Sequence, residues 1–179
     1  MRRKIEIVVA RQRLTAADAG LSAAELERAA RFAFEADRQR YVGSHRLLRG
    51  RLAERAARPG LRYSLSRSGE LAAFAFAWAC AVGIDVEEIR PLAEADLIAG
   101  QSFPRRERSA YEALPRSTRT AGFYRGWTRT EALAKALGGG LTLGREALDE
   151  ALEAGWAVHS FTPAPGFAGA VAASPRGAA

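Results

Sequence analysis

The segment from Leu71 to Ala79 constrains the fold most, because all nine of its residues are apolar. A strand has this composition when both of its faces are buried, whereas a half-exposed strand alternates apolar and polar residues. Further elements must therefore cover both faces. A chain of 179 residues that is 48% hydrophobic is large enough to supply them. The composition predicts a globular protein with one domain or two small lobes.

The hydrophobic periodicity around this segment switches between strand and helix patterns. Ser22 and Glu25 form a capping box that predicts a helix start, and Ser66 to Gly69 is interpreted as a turn. Further strands are predicted over 5–9, 61–65, 82–89, 156–161 and 167–172, and further helices over 37–57, 94–112 with a break at Pro104, and 119–137. This order of elements predicts a mixed α+β protein.

Charge and cysteine content restrict the compartment and the partners. A formal net charge of +7 favours phosphates, nucleic acid or acidic proteins, and it does not choose among them. The lone cysteine, Cys80, has no internal disulfide partner and lies among apolar residues. No apolar run reaches the roughly 18 residues of a membrane span, and the first residues contain no secretory apolar stretch. We expect a cytoplasmic protein that does not enter a membrane.

Two carboxylates in the sequence Gly83-Ile84-Asp85-Val86-Glu87 form the first candidate site. On a strand, Asp85 and Glu87 point to one side while the neighbouring apolar residues point into the core, and Glu88 faces the other way. Converging carboxylates repel each other unless a cation lies between them, and one or two carboxylates are the usual protein ligands of Mg²⁺. The same spacing is also typical of an ordinary solvated strand edge.

The predicted helix over 119–137 carries the second candidate site. Glu131 and Lys135 are four residues apart, in the order that forms a favourable ion pair, and Trp127 lies one turn earlier on the same face. Spacing alone allows two interpretations. The pair is either a surface salt bridge or part of a cleft that brings together an aromatic ring, an acid and a base.

Arginines form the third candidate set. Arg67 lies between Ser66 and Ser68, and its planar guanidinium can bind a phosphate with two parallel hydrogen bonds while the hydroxyls help to hold the anion. A run of arginines between Arg28 and Arg51 also allows a nucleic-acid-binding protein, but no groove-reading motif or stacking platform accompanies it. The sequence has no phosphate-binding glycine loop and no zinc-ligand spacing.

Taken together, these segments resemble the 4'-phosphopantetheinyl transferases of the surfactin-synthetase-activating (Sfp) type. The resemblance implies two similar α+β lobes, residues 1–80 and 81–179, that form an internal pseudo-dimer in a monomer. The matching segments, in family order, are Arg31-Phe32, Asp37 to Tyr41, His45 to Arg49, Tyr63 to Gly69, Gly83 to Glu87, Arg90-Pro91, Phe123-Tyr124 and Trp127 to Ala136.

The resemblance also implies an activity and a role for each matched residue. Such enzymes move the phosphopantetheine arm of coenzyme A to a serine of an acyl or peptidyl carrier protein, which is usually acidic. Asp85, Glu87 and Glu131 would hold Mg²⁺, Glu131 would act on the serine proton, and Lys135 would neutralise the leaving phosphate. The residues implied in coenzyme A binding are Arg28, Arg40, Ser66, Arg67, Ser68 and Lys135.

The sequence departs from the family pattern at two positions and in one missing segment. Arg67 replaces a histidine, Thr130 replaces the lysine that commonly precedes the helix glutamate, and a longer segment with a glycine-lysine-proline motif is absent between Arg49 and Leu61. Arg129 is the neighbouring residue that can replace the missing lysine charge. An alternative is therefore a diverged relative, weakly active or inactive, that binds coenzyme A or a carrier protein.

Overall fold

The computed structural model describes residues 4–12, 15, 20–56, 59–139 and 143–175. These residues form two three-stranded antiparallel sheets with helices packed against them. The strands are β1 (Ile5–Arg11), β2 (Leu61–Ser68), β3 (Leu71–Trp78), β4 (Val82–Glu88), β5 (Ala157–Phe161) and β6 (Phe167–Ala173). The α-helices are α1 (Ala23–Ala30), α2 (Glu35–Ala53), α3 (Ala95–Ser102), α4 (Arg105–Glu112), α5 (Arg119–Leu137) and α6 (Arg145–Glu153).

Strand β3 occupies the centre of the first sheet, whose strand order is β1-β3-β2. The predicted burial of both faces is confirmed, since every residue from Leu71 to Ala77 is buried. Phe74 and Phe76 pack on one face with Leu48 of α2. The alanines at 73, 75 and 77 pack on the other face against Ile84 and Val86 of the second sheet. Small side chains on this face let the two sheets approach closely.

The second sheet has the order β4-β6-β5, so β4 is an edge strand, and it lies beside β2. Helix α5 packs on this sheet through Leu133 and the alanines around it. The contact with β4 depends on Gly83. A Cβ atom at this position would lie 2.0 Å from the carbonyl oxygen of Ala132 and 2.5 Å from the amide nitrogen of Ala136. Glycine therefore allows β4 to lie directly against the helix turn that carries Glu131 and Lys135.

Several predicted boundaries differ from the structure. The turn predicted over Ser66 to Gly69 is wrong for its first three residues, because β2 continues to Ser68, which pairs with Leu71. Gly69, with a φ of +52°, lies in the turn itself. The helix predicted over 37–57 is α2 (Glu35–Ala53), and residue 57 lies outside the described residues. The break at Pro104 is confirmed between α3 and α4, and α6 was not predicted.

The mixed α+β class is confirmed. Within the described ranges, no helix combines the length and the apolar character that a membrane crossing requires.

Ser22 caps α1 as predicted, since its hydroxyl accepts the Glu25 amide and its own amide donates to the Glu25 carboxylate.

Candidate active site

The two strand carboxylates lie on β4, where this strand meets β2. Ile84 and Val86 are fully buried, as the alternation predicts, and Glu88 is exposed. Asp85 is also buried, with only 3% of its surface accessible, and Glu87 is half-buried. The interpretation of a simple solvated strand edge is therefore wrong for Asp85. Burial of a carboxylate without partners has a large unfavourable free energy, so the contacts of Asp85 indicate which groups the site can hold.

Lys135 of α5 is the charged partner of Asp85. Its Nζ donates to Asp85 Oδ1 at 2.6 Å and to the carbonyl oxygen of Ile84 at 3.3 Å. The spacing on the helix suggested an ion pair between Lys135 and Glu131, but the ammonium group binds across to the strand instead. A helix residue and a strand carboxylate thus form one site.

Three serines of β2 connect this strand to β4. The serine row, Ser64, Ser66 and Ser68, accepts hydrogen bonds from the backbone amides of residues 84, 86 and 88 at 3.1, 3.3 and 3.1 Å. Ser66 Oγ also donates to Asp85 Oδ1 at 2.7 Å, and Ser68 Oγ donates to Glu87 Oε2 at 2.6 Å. The second oxygen of Asp85, Oδ2, is buried and has no hydrogen-bond partner in the described part of the chain.

Asp85, Glu87 and Glu131 form the carboxylate cluster of the site. Burial raises the pKa of Asp85, and the lysine ammonium group opposes that shift. Burial also raises the pKa of Glu131, and the charges of Asp85 and Glu87 raise it further. The pKa of Glu87 is raised by burial and by the charge of Asp85, against the hydrogen bond from Ser68. The three groups are close enough to repel one another, and a bound cation would relieve that repulsion.

The donor chemistry of the cluster fits a hard divalent cation. Mg²⁺ commonly uses one or two protein carboxylates and completes its shell with water and phosphate oxygens. The unpartnered Asp85 Oδ2 is an oxygen available for such an ion. Within residues 4–12, 15, 20–56, 59–139 and 143–175, however, no group of three or more His, Cys, Asp or Glu side chains is arranged to hold a metal.

Of the basic residues predicted to bind coenzyme A, Lys135 lies beside the carboxylate cluster, whereas Arg67 lies on the other face of β2. Because side chains alternate along a strand, Arg67 points away from Ser66 and Ser68. Its guanidinium lies 5.2 Å from the centre of the Tyr41 ring and 5.9 Å from that of Phe32, and burial lowers its pKa. The structure therefore does not place the Ser66-Arg67-Ser68 sequence around one anion.

Arg28 lies near this aromatic pair, and Arg40 is the residue before Tyr41 on α2. Arg28 lines a cavity of about 460 Å³ together with Phe32, and its charge acts on Arg67. Arg40 donates to Asp37 at 3.0 Å. Arg28, Arg67 and the rings of Phe32 and Tyr41 thus form a basic and aromatic corner, separate from the carboxylate cluster.

The two residues beside Glu131 do not supply the charge of the missing lysine. Thr130 is buried, and its hydroxyl donates to the carbonyl oxygen of Gly126 at 2.9 Å. Arg129 lies about 200° around the helix from Glu131, on the opposite face. Its guanidinium donates to Glu107 at 2.7 Å and to the carbonyl oxygen of Val158 at 3.1 Å. Both contacts tie α5 to neighbouring elements of the C-terminal half.

Sequence reasoning missed two residues that build the site. Ser64 was not singled out, although serines at 64, 66 and 68 have the two-residue period of one strand face. Gly83 was considered only as the start of the carboxylate motif, and its close approach to α5 depends on a distant segment that no local pattern reveals.

The family model for the 4'-phosphopantetheinyl transferase superfamily matches residues 81–162, which include the whole carboxylate cluster and Lys135. A 4'-phosphopantetheinyl transferase from Nostoc sp., HetI, is 32% identical over 146 residues, which are 69% of this chain and 62% of the relative. The AcpT 4'-phosphopantetheinyl transferases of Salmonella typhi and Salmonella typhimurium are 37% identical over 79 residues, 44% of this chain and 41% of theirs.

These alignments are partial. The chain spans about three-fifths of the length of HetI and two-fifths of the length of AcpT. The matched family region and the identity to HetI show that residues 81–162 are similar to the 4'-phosphopantetheinyl transferase superfamily and that the similarity to one such transferase extends over 69% of the chain.

Proposed function

We propose that this protein transfers the 4'-phosphopantetheine arm of coenzyme A to a serine of an apo carrier protein, leaving adenosine 3',5'-bisphosphate. The observation that carries the proposal is the joint placement of Asp85, Glu87, Glu131 and Lys135 where β4 meets α5. Transfer of a phosphoryl group depends on positioning and on the neutralisation of developing negative charge, and this cluster contains the residue types for both tasks.

Each member of the cluster has a distinct role in the proposal. Asp85, Glu87 and Glu131 would hold Mg²⁺, and the ion would neutralise charge on the pyrophosphate oxygens. Glu131 would accept the proton of the carrier serine directly or through water. Lys135 is held beside Asp85 and provides a positive charge for the leaving phosphate.

The three arginines predicted to bind coenzyme A are assigned to substrate binding. Arg28 and Arg67 lie in the basic and aromatic corner, Arg40 lies on the same helix as Tyr41, and all three are proposed to bind the phosphates of coenzyme A. The net charge of +7 favours encounter with an acidic carrier protein in the cytoplasm. The residue ranges 1–80 and 81–179 are proposed as the two lobes of a monomeric pseudo-dimer, each lobe with one of the two sheets.

The direct test incubates the protein with coenzyme A, Mg²⁺ and a panel of apo carrier proteins, followed by intact mass measurement of each carrier. The expected result is a mass gain of one phosphopantetheine group that EDTA abolishes and excess Mg²⁺ restores. A parallel reaction with an active transferase shows that the carriers are competent. A folded protein that modifies no competent carrier would contradict the proposal.

The second candidate is a diverged relative that binds coenzyme A without efficient transfer. Thr130 and Arg129 favour it, because the hydroxyl of Thr130 is bonded inside its own helix and Arg129 is bonded to Glu107, so neither brings a positive charge beside Glu131. Isothermal titration of coenzyme A separates the candidates. Tight Mg²⁺-dependent binding without a mass gain on any competent carrier would favour the second candidate.

A further inference from the structure

We propose that Ser66 and Ser68 are positioning residues for the cation-binding carboxylates Asp85 and Glu87, and that they do not bind the phosphates of coenzyme A. This inference rests on the proposed function, since it assigns those carboxylates to a divalent cation. It replaces the role in coenzyme A binding that the family resemblance implies for the two serines.

The serine row has a regular arrangement along β2. Ser64, Ser66 and Ser68 lie on one face of β2, and each hydroxyl oxygen accepts a backbone amide of β4. Edge-strand amides usually need a neighbouring strand or water as an acceptor. Here the hydroxyls occupy that place and fix the register between β2 and β4. The strand that carries the carboxylates is thereby held at alternate residues.

Ser66 and Lys135 together fix the orientation of the Asp85 carboxylate. Its Oδ1 accepts hydrogen bonds from both Ser66 and Lys135, at 2.7 and 2.6 Å. The two hydrogen bonds to this one oxygen fix the plane of the carboxylate. They leave Oδ2 buried without a partner in the described ranges. Buried polar atoms are rarely left unpaired, and such an atom at a functional site points to a missing ion or water. Ser66 thus holds Asp85 with one oxygen available to a cation.

Glu87 has the same arrangement with fewer partners. Ser68 Oγ donates to its Oε2 at 2.6 Å, and its other carboxylate oxygen has no hydrogen bond to another described residue. Glu87 is half-buried and lacks a lysine partner of its own, so the serine hydroxyl is what holds the side chain in place. Without the Ser68 hydroxyl, the Glu87 side chain could adopt other rotamers, and its carboxylate would bind a cation less tightly.

The hydroxyl groups of Ser66 and Ser68 have no donor left for a phosphate. Serine has a single O–H donor and two acceptor lone pairs. In Ser66 and Ser68 the proton is donated to a carboxylate, and one lone pair accepts a backbone amide. A phosphate oxygen only accepts hydrogen bonds, so neither serine can donate to phosphate without releasing its carboxylate.

Ser64 provides a matched control. Its hydroxyl accepts the Ile84 amide at 3.1 Å in the same manner as the other two serines. Among the described residues no carboxylate accepts its proton. Ser64→Ala therefore removes the bond to β4 alone, whereas Ser66→Ala and Ser68→Ala remove that bond and the contact to a carboxylate.

The test is titration of each purified protein with Mn²⁺, with free Mn²⁺ measured by electron paramagnetic resonance in the absence of coenzyme A. S66A and S68A are expected to bind Mn²⁺ about 10- to 100-fold more weakly, the usual effect of removing a hydrogen-bond partner of a metal ligand. S64A, which loses only its bond to the β4 backbone, is expected to bind Mn²⁺ more tightly than S66A and S68A do. Ser68→Thr keeps the hydroxyl and is expected to restore affinity.

Steady-state transfer measurements supply the second readout. The expected result for S66A and S68A is a higher Mg²⁺ requirement with an unchanged KM for coenzyme A. A raised KM for coenzyme A with unchanged Mn²⁺ affinity would overturn the inference and return both serines to phosphate binding. Equal Mn²⁺ affinity in S64A, S66A and the unsubstituted protein would overturn it while the proposed function stands. Failure of the unsubstituted protein to bind Mn²⁺ would overturn the cation site and this inference together.

Discussion

Gly83→Ala tests whether the close contact between β4 and α5 builds the site. The added Cβ would lie 2.0 Å from the Ala132 carbonyl oxygen and 2.5 Å from the Ala136 amide nitrogen. Both are backbone atoms of a helix, so no side chain can rotate away. Relief requires β4 to move from α5 by about 1 Å or more, because contacts of this kind normally exceed 3 Å.

The cost of this movement can be estimated from overpacked cores, where inserted methyl groups typically cost about 1–3 kcal/mol. For a chain of this size, each kcal/mol lowers the Tm by about 2–4 °C, so the expected decrease is roughly 2–12 °C. The same movement lengthens the contact between Lys135 Nζ and Asp85 Oδ1, which is 2.6 Å in the parent protein. We therefore expect weaker Mn²⁺ binding together with the lower Tm.

Gly50→Ala is the matched control, and circular dichroism melting is the assay. Gly50 lies inside α2, and a Cβ atom there would meet no atom within 4 Å. Alanine is preferred over glycine in a helix interior by about 0.5–1 kcal/mol, so this variant is expected to melt at or slightly above the parent temperature. A Gly83→Ala protein that melts no lower than the parent would refute the close-contact argument.

Two further predictions concern stability outside the site. Ser22→Ala removes the capping oxygen that accepts the Glu25 amide, so we expect a loss of about 1 kcal/mol in a urea unfolding experiment; an unchanged midpoint would contradict the role of the cap. Burial and the hydrogen bond to Asp96 raise the pKa of Tyr111 to about 12. The folded protein therefore holds the Tyr111 proton more tightly than the unfolded chain, whose tyrosines titrate near 10. The free energy of unfolding is expected to fall as the pH rises from about 10 to about 12. An ultraviolet titration should show that Tyr111 loses its proton at a lower pH in the Asp96→Asn variant than in the parent protein. An identical titration in both proteins would argue against the contact between Tyr111 and Asp96.

Local sequence patterns predicted the parts of the fold that short-range physics determines. The continuous apolar run predicted the central strand β3, because burial of both faces leaves no place for polar residues. The capping box at Ser22 predicted the start of α1, since both of its hydrogen bonds are made within four residues. The spacing of Asp85 and Glu87 placed both on one face of β4, which follows from the two-residue period of a strand.

Long-range partners could not be predicted in this way. The serine row resembles a turn in composition, and its partners lie about 20 residues further along the chain. Lys135 binds Asp85 because a buried carboxylate needs a cation, whereas a helical pair with Glu131 contributes only about 0.3–0.5 kcal/mol. Helix α6 did have a local signal, since Leu148, Ala151 and Leu152 lie on one helix face.

The most direct test of the central claim compares the transfer rates of three variants at saturating coenzyme A and Mg²⁺. Asp85→Ala and Glu131→Gln remove members of the carboxylate cluster, and Glu88→Ala removes the neighbouring exposed carboxylate as the control. We predict that both cluster variants lose transfer by at least about a hundredfold, as expected for loss of an acid–base or metal-binding group, and that Glu88→Ala retains the parent rate. Transfer by Glu131→Gln at the parent rate would contradict the assignment of the site.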